Sequence, residues 1–251
     1  MEEAKTTLGR FVLPGGYVDE QNNVYDVAYL KEMTGNDEDI LSARNMSVSC
    51  KLKMVLANCI VRLERSDTTD SPLIEREAIE KALDGMTSMD KLVLLVGLRM
   101  VTLGRMYDMR VKCPQCENEH QVTVDLSAFE VLPMPDKRKR TYEVMLPSGK
   151  KAEMRVFLGG DEEKMEKIRN AGRDVPSYAI LVRLNKLDGQ TPTLEAVKNL
   201  GTRDRLKLRA EYSKVEGGMN TEVEVTCPSC GNKSVGDLDV AQTGFFFPSE
   251  V

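Results

Sequence analysis

The residues best suited to do chemistry are two pairs of cysteines. One pair lies in Cys113-Pro-Gln-Cys116 and the other in Cys227-Pro-Ser-Cys230. Two cysteines two residues apart, with a proline between them, form a tight turn whose sulfurs converge, and such a turn supplies half of a tetrahedral zinc site. The sequence therefore predicts one structural zinc ion shared by both pairs, with Cys113, Cys116, Cys227 and Cys230 as its ligands.

Four sulfur ligands would leave no open coordination position on the metal, so the predicted site is structural rather than catalytic. The chain also lacks a Walker A loop, a G-x-S-x-G elbow, an H-E-x-x-H motif and a glycine-rich dinucleotide loop. A thiol redox enzyme would place the second cysteine of a pair inside a helix, whereas polar, β-prone residues follow both pairs here. We therefore expect a protein that is not an enzyme.

The segments that carry the two pairs are similar to each other at an offset of 114 residues. Internal similarity of this kind predicts a duplicated module. We expect two diverged tandem copies, the first at residues 1–135 and the second at residues 136–251. Matching positions include Asp90 with Asp204, Leu94 with Leu208, Gly104 with Gly218 and Val111 with Val225.

Short strands and helices around the turns predict an α+β fold. Apolar residues from Val48 to Leu63 follow the i, i+3, i+4 spacing of an amphipathic helix. Ser88 begins a helix that is apolar nearly all round, and should therefore be buried, and Gly104 ends it. Alternating residues on both sides of each cysteine turn predict β-hairpins, so each CP-x-C turn is expected to be a zinc knuckle.

Two acidic runs, Asp37-Glu-Asp39 and Asp161-Glu-Glu163, could be read as metal or acid–base clusters. Successive helical residues do not share a face, however. We interpret both runs as the first turns of helices, where carboxylates stabilise the positive end of the helix dipole. Asn36 is the expected N-cap of the first helix.

The remaining candidate ligands lack partners in the sequence. His120 is the only histidine and follows Cys116 by four residues, but its counterpart in the second copy is Ser234. We therefore expect its side chain to face solvent or to lie in the hairpin loop, although a ligand role is the alternative. Cys50 and Cys59 belong to no C-x2-C pair, and we expect small core or surface thiols.

The composition indicates an ordinary soluble globular protein, with 41% hydrophobic and 30% charged residues and a formal net charge of −5. A dedicated nucleic-acid-binding protein needs a dominant basic face, which disfavours that class. No apolar run approaches the roughly 20 residues of a membrane span, and the N-terminus has no signal-peptide core. We expect a chain in a reducing cytosol, where cysteines bind metals more often than they form disulfides.

Two short segments have alternative interpretations. Lys137-Arg-Lys-Arg140 lies in the linker between the modules, and we expect solvated cations that pair with acidic patches rather than a nucleic-acid site. The consecutive rings Phe245, Phe246 and Phe247 either close the second core under the cysteine hairpin or anchor the chain in a partner. We predict partner binding by these three rings.

Several motifs give the chain a family likeness. The sequence resembles the baseplate hub and hub-assembly proteins of T4-like contractile-tailed phages and related contractile injection systems. The likeness rests on these segments: Phe11-Val-Leu-Pro-Gly-Gly16, Leu30-Lys-Glu-Met-Thr-Gly35, Leu95-Val-Gly-Leu-Arg99, Leu146-Pro-Ser-Gly149, Gly160-Asp-Glu162 and Phe245-Phe-Phe-Pro248.

The resemblance implies a structural component or assembly factor of a phage tail baseplate. It would lie in the virion tail baseplate and, during assembly, in the host cytoplasm. Its partners would be other baseplate and tail proteins, including further copies of itself. The alternative is a zinc-ribbon-type module that binds nucleic acid or transcription machinery, against which the acidic charge argues.

Overall fold

The structure is a computed structural model that describes residues 8–68, 70–172, 174–240 and 243–246. It confirms the predicted α+β class, because helices and antiparallel strands alternate along the chain. Within these residues no helix combines the length and the apolar character needed to cross a membrane.

The first half of the chain builds a three-stranded antiparallel sheet with helices packed on it. Strand β2 lies between β1 and β3, and the long helix α4 packs on β1. The elements are β1 (Gly9–Val18), β2 (Val24–Leu30), α1 (Gly35–Ser42), α2 (Val48–Cys59), β3 (Ile60–Glu64), α3 (Arg76–Gly85) and α4 (Ser88–Leu103).

The middle of the chain forms the first cysteine hairpin and the connection to the second half. In this hairpin the two strands pair antiparallel from Met106↔Asp125 to Lys112↔Glu119. The elements are β4 (Met106–Lys112), β5 (Glu119–Asp125), a 3-10 turn (Leu126–Ala128) and β6 (Val131–Leu132).

The second half repeats the order of elements seen in the first. Its three-stranded antiparallel sheet has β8 between β7 and β9, as β2 lies between β1 and β3. The elements are β7 (Thr141–Met145), β8 (Lys151–Arg155), α5 (Gly159–Ala171), α6 (Val175–Leu181), β9 (Leu184–Leu187), α7 (Leu194–Lys198), α8 (Thr202–Val215), β10 (Gly218–Met219), β11 (Glu222–Thr226), β12 (Lys233–Asp237) and α9 (Thr243–Phe246).

The helices begin at capping residues, within a few residues of the predicted starts. Helix α4 begins after Thr87, whose hydroxyl accepts the N–H of Asp90. Helix α1 begins after Thr34 rather than Asn36, because the Asp37 carboxylate accepts the N–H of Thr34 at 2.9 Å. Both acidic runs therefore serve as helix first turns, as predicted.

The helix predicted from Val48 to Leu63 is shorter than expected. It ends at Cys59, and the chain continues directly as β3. The apolar side chains of this last stretch fit the helical spacing, but the branched residues Ile60 and Val61 also suit a strand. Pairing with β2 decides the outcome, because Leu30 and Ala28 lie opposite Ile60 and Leu63.

Two apolar cores lie within the described residues. The larger one joins the first sheet to α4, which is buried on nearly every face as its sequence predicts. Val225, Leu238, Phe245 and Phe246 pack into this same core although they come from the end of the chain. The smaller core lies between the second sheet and helices α6, α7 and α8.

The basic linker is bound to the first sheet rather than solvated. Lys137 forms an ion pair with the buried carboxylate of Asp26 at 2.6 Å. Arg140 donates to the carbonyl oxygens of Gly15 and Gly16, at 3.3 and 2.7 Å. The expected pairing of a linker cation with an acidic group is confirmed at Lys137, whereas Arg140 binds turn carbonyls of the first half instead.

Candidate metal centre

Each cysteine pair lies at the tip of a β-hairpin, as predicted. In the first hairpin the Cys113 N–H donates to the Asn118 carbonyl at 2.9 Å, and the Glu117 N–H donates to the Cys113 carbonyl at 3.0 Å. These two bonds close the loop between β4 and β5. They hold the backbone so that both sulfurs project to the same side.

The second hairpin repeats this geometry. The Cys227 N–H donates to the Asn232 carbonyl at 2.9 Å, and the Gly231 N–H donates to the Cys227 carbonyl at 2.9 Å. The two loops are therefore the same structure built twice, at equivalent places in hairpins β4–β5 and β11–β12.

The residue after the second cysteine has a left-handed backbone in both loops. Its φ is 59° at Glu117 and 71° at Gly231. Glycine adopts this conformation without strain, whereas most other residues do not. Sequence reasoning missed this position, although the glycine directly after Cys230 is the signal that could have revealed it.

The four sulfurs form one cluster. Their Sγ atoms all lie within 4.8 Å of one another. Cys113 and Cys230 are 3.7 Å apart, and Cys116 and Cys227 are 3.6 Å apart. A disulfide requires about 2.05 Å, so none is formed. Zinc–sulfur bonds of about 2.3 Å in a tetrahedron give sulfur–sulfur distances of about 3.8 Å, which matches the cluster.

Backbone N–H groups stabilise negative charge on the sulfurs of Cys113 and Cys227. The N–H groups of Cys116 and Gln115 lower the pKa of Cys113 to about 6. Burial raises the pKa of Cys227, but the N–H groups of Cys230 and Ser229 outweigh burial and lower it. Thiolates are the form that binds metal ions.

The pKa of Cys230 shifts in the opposite direction. The Asn232 N–H lowers the pKa of Cys230, but the sulfurs of Cys116, Cys113 and Cys227 together with burial raise it to about 12. Close approach of the sulfurs therefore disfavours negative charge on Cys230. A divalent cation at the centre removes this conflict, because each negative sulfur is then attracted to the metal.

Packing between the two hairpins brings the sulfurs together. A Cβ atom on Gly236 would lie 3.0 Å from the Met109 side chain and 3.6 Å from that of Val225. The strands therefore approach closely at this glycine. Cys113 and Cys227 are buried, and Cys116 and Cys230 are exposed. The centre thus lies at the surface end of a packed interface.

The other candidate residues lie outside the sulfur cluster. Cys59 is fully buried, and burial raises the pKa of its thiol to about 12, which confirms a core thiol. His120 lies in β5 opposite Val111. Both of its ring nitrogens are buried, and neither has a hydrogen-bond partner among the described residues. His120 is half-buried in a strand, and its nitrogens do not face solvent, so the prediction of a solvent-facing or loop histidine is wrong.

Two of the three terminal rings are buried within the chain. Phe245 is 0% exposed and meets Tyr107 edge-on, with ring centroids 5.2 Å apart. Phe246 packs on Phe245 at 5.0 Å, and the Arg99 guanidinium lies 6.0 Å from the Phe245 ring. These two rings close the core beside the first hairpin and are not free to anchor a partner. Phe247 lies outside the described residues.

Comparison with known proteins gives one family. Residues 27–141, a little under half of the chain, match the family described as T4 bacteriophage base plate protein. No curated protein and no solved structure matches the chain significantly. The matched segment runs from β2 through α4 and the first cysteine hairpin to the basic linker. The match shows that this segment is similar to T4 bacteriophage base plate protein.

Proposed function

We propose that this chain is a structural component or assembly factor of the hub region of a phage tail baseplate, held together by one zinc ion. The observation that carries this proposal is the four-sulfur cluster in a chain that matches a baseplate family. The chain would be made in the host cytoplasm and incorporated, or used, as the tail is built. Its partners would be other tail proteins, including further copies of itself.

Zinc is the metal that this ligand set fits best. Four thiolates at tetrahedral spacing are typical of structural zinc or iron–sulfur chemistry, and zinc-ribbon knuckles in paired hairpins favour zinc. The sulfurs belong to hairpins about 110 residues apart in sequence. Structural zinc binds with an apparent free energy of roughly 10–16 kcal/mol, which exceeds the stability of a typical domain. One ion would therefore fix the end of the chain to its middle.

A duplicated module is supported by more than the cysteine turns. The order of strands and helices from β1 to β5 recurs from β7 to β12, with the short strand β10 added between α8 and β11. At equivalent places, Asp90 accepts the N–H groups of Gly15 and Gly16, and Asp204 accepts that of Ser148. We propose modules at 1–135 and 136–251, with the hairpin of the second packed on the core of the first.

Several contacts between the two halves support a structural role. The proposed metal would fix the second proposed module to the first, together with the Lys137–Asp26 ion pair and the Arg140 contacts. The engaged linker cations also weaken the nucleic-acid alternative, because phosphate binding needs free positive charge.

Metal analysis tests the zinc proposal directly. The purified full-length chain should contain one zinc per chain by elemental mass spectrometry, with four thiols protected from alkylation. Acidification should release the metal, because protons compete for the thiolates. Cys113→Ser and Cys227→Ser should each lose the metal and several kcal/mol of stability. Cys50→Ser is the matched control and should keep both. Iron in place of zinc, or no metal and unprotected thiols, would refute the proposal.

The hub assignment has a separate test. Tail preparations from phage that carry a tagged copy of this gene should show the tag at the centre of the baseplate by electron microscopy. A tag on the outer wedges, or tails assembled normally after deletion of the gene, would contradict a hub role. Neither result would affect the metal analysis.

A further inference from the structure

One edge of strand β1 is only partly covered. Between Leu13 and Gly16 its carbonyls are occupied by the segment at 134–140, beginning with the Met134 N–H, which donates to the Pro14 carbonyl at 2.9 Å. From Gly9 to Val12 the strand pairs with β2 on one side. No other strand among the described residues pairs with it there. Open strand edges offer unpaired N–H and carbonyl groups to another chain.

An apolar cleft of about 360 Å³ lies beside this open edge. It runs between β1, α4 and the segment after β5, and its volume lies at the lower end of the range for ligand pockets, roughly 300–1,000 Å³. Val12 in its wall is 46% exposed. The apolar side chains that line it include Phe11, Val12, Val93, Val96, Met100 and Phe129.

The charged residues that line the cleft are all positive. Arg10 and Lys137 line it, and no carboxylate does. Lys137 is already paired with Asp26. Arg10 is exposed and forms no ion pair within the described part of the chain, although its charge helps to lower the pKa of Glu64, which is itself paired with Arg62. In a chain with a net charge of −5, this is a local site for one acidic group.

We propose that the cleft binds an extended segment of another tail protein, which adds a strand to the open edge of β1. Alternate apolar side chains of that segment would enter the cleft, and an acidic residue would pair with Arg10. Strand addition derives affinity from backbone hydrogen bonds and specificity from pockets for every second side chain. Both elements are present here. Only the choice of a tail protein as partner rests on the function proposed above.

The chain's own first residues match this cleft poorly. Residues 1–7 read Met-Glu-Glu-Ala-Lys-Thr-Thr and carry one large apolar side chain, at Met1. A segment that fills an apolar cleft needs apolar residues at alternating positions. The surface also lies apart from the four cysteines, so its role does not depend on the metal.

A defined peptide tests strand addition on the full chain. The probe is a fluorescent eight-residue peptide in which valine and threonine alternate, with aspartate in place of one threonine. We expect saturable binding by fluorescence anisotropy that weakens at least about tenfold in Val12→Glu and in Arg10→Glu. Val235→Glu is the matched control, because Val235 is an exposed strand valine that does not line the cleft, and this variant should bind normally.

Two further peptides separate the contributions. Replacement of aspartate by lysine should restore binding to the Arg10→Glu variant, which a misfolded variant could not do. Methylation of the backbone nitrogens of the threonines should abolish binding, because it removes strand hydrogen bonds. The proposal fails if no peptide binds saturably, if Val12→Glu binds as well as the parent chain, or if the methylated peptide binds equally. It also fails if deletion of residues 1–7 raises affinity tenfold, since the N-terminus would then be the occupant.

Discussion

Single residues with unusual backbone or burial determine the local geometry of the metal centre. The left-handed position after the second cysteine is a glycine in one loop and Glu117 in the other. Glu117 reaches the Lys112 ammonium at 3.1 Å, but both side chains are exposed. An exposed ion pair contributes little, so the first loop is intrinsically more strained than the second.

Gly231→Ala should destabilise the chain by about 1 kcal/mol, because a Cβ disfavours the left-handed backbone. No atom lies within 4 Å of the position that a Cβ would occupy, so the effect would be conformational rather than steric. Urea unfolding of the metal-bound protein measures it. Gly35→Ala is the control, since that helical position is equally open and has no positive φ, and it should not destabilise. Equal losses in both variants would refute this account of the loop.

Asp90 determines the local geometry where helix α4 meets strand β1. Its carboxylate is fully buried and accepts the N–H groups of Gly15 and Gly16 at 2.7 and 3.0 Å. It also accepts the N–H and the hydroxyl of Thr87 at 2.8 and 2.7 Å. One side chain therefore caps α4 and fixes the turn in β1.

Asp90→Asn should destabilise the protein by roughly 2–3 kcal/mol, because an amide nitrogen would face donors that need an acceptor. Thermal or urea unfolding at pH 7 measures this loss. Asp204→Asn is the matched control: it removes the bond to the Ser148 N–H at 3.0 Å and should cost at least about 1 kcal/mol less. A larger loss at Asp204 would mean that the turn at Gly15 and Gly16 is held by other contacts.

At the scale of elements, helix α2 is capped by a residue from the other half of the chain. The Glu166 carboxylate of α5 accepts the N–H groups of Val48 and Ser49 at 2.8 and 2.9 Å. It also accepts the Ser49 hydroxyl at 2.6 Å. A carboxylate at a helix N-terminus satisfies free donors and complements the dipole. Here it also joins the two halves.

Glu166→Gln should destabilise the protein by about 1 kcal/mol at pH 7, and the difference should shrink as the pH falls. Burial raises the pKa of Glu166, but the bonds from Ser49 and Val48 outweigh burial and lower it below 4.5. A lowered pKa gives stability that is present above the unfolded value and is lost as pH falls through the folded value. Unfolding free energies of both proteins between pH 7 and pH 3.5 measure this.

The cysteine cluster does not obscure that comparison, because both proteins carry the same four cysteines and any metal they hold would respond equally to acid. A constant difference across the pH range would show that the carboxylate charge does not stabilise α2. Glu163→Gln, which alters an exposed residue of the same helix paired with Lys167, should have little effect at any pH.

At the scale of the whole molecule, the contact between the halves is polar and tight. The Gly159 N–H donates to the Met86 carbonyl at 2.8 Å, and a Cβ at Gly159 would collide with the Leu83 carbonyl. Beside this contact Lys91, only 3% exposed, pairs with Glu162. The four-cysteine cluster joins the same two halves at another place.

Lys91→Met should destabilise the chain by about 3 kcal/mol, because it leaves the partly buried Glu162 carboxylate without its partner. Combining it with Glu162→Gln should recover a large part of that loss, since no unpaired charge remains. A double-mutant cycle from urea unfolding at pH 7 measures the coupling. Strictly additive losses would show that the pair does not join the halves.

The sequence by itself determined the two cysteine pairs, the hairpins that carry them and the buried helix α4. Each depends on short-range chemistry: the spacing of Cys113 and Cys116, alternation along a strand, or an apolar run that starts at a cap. Even the approach of the two pairs to each other was predicted from the repetition of one turn, because a tetrahedral half-site needs a second half. These features need no knowledge of distant contacts.

Tertiary structure alone decided the outcomes that depend on distant partners. Pairing with β2 placed Ile60 and Val61 in a strand, and the fold buried the ring nitrogens of His120. Phe245 and Phe246 pack into the core beside Tyr107, and Lys137 forms an ion pair with the carboxylate of Asp26. In each case the side chain suits two environments equally well. Only the position of residues far along the chain determines which environment it meets.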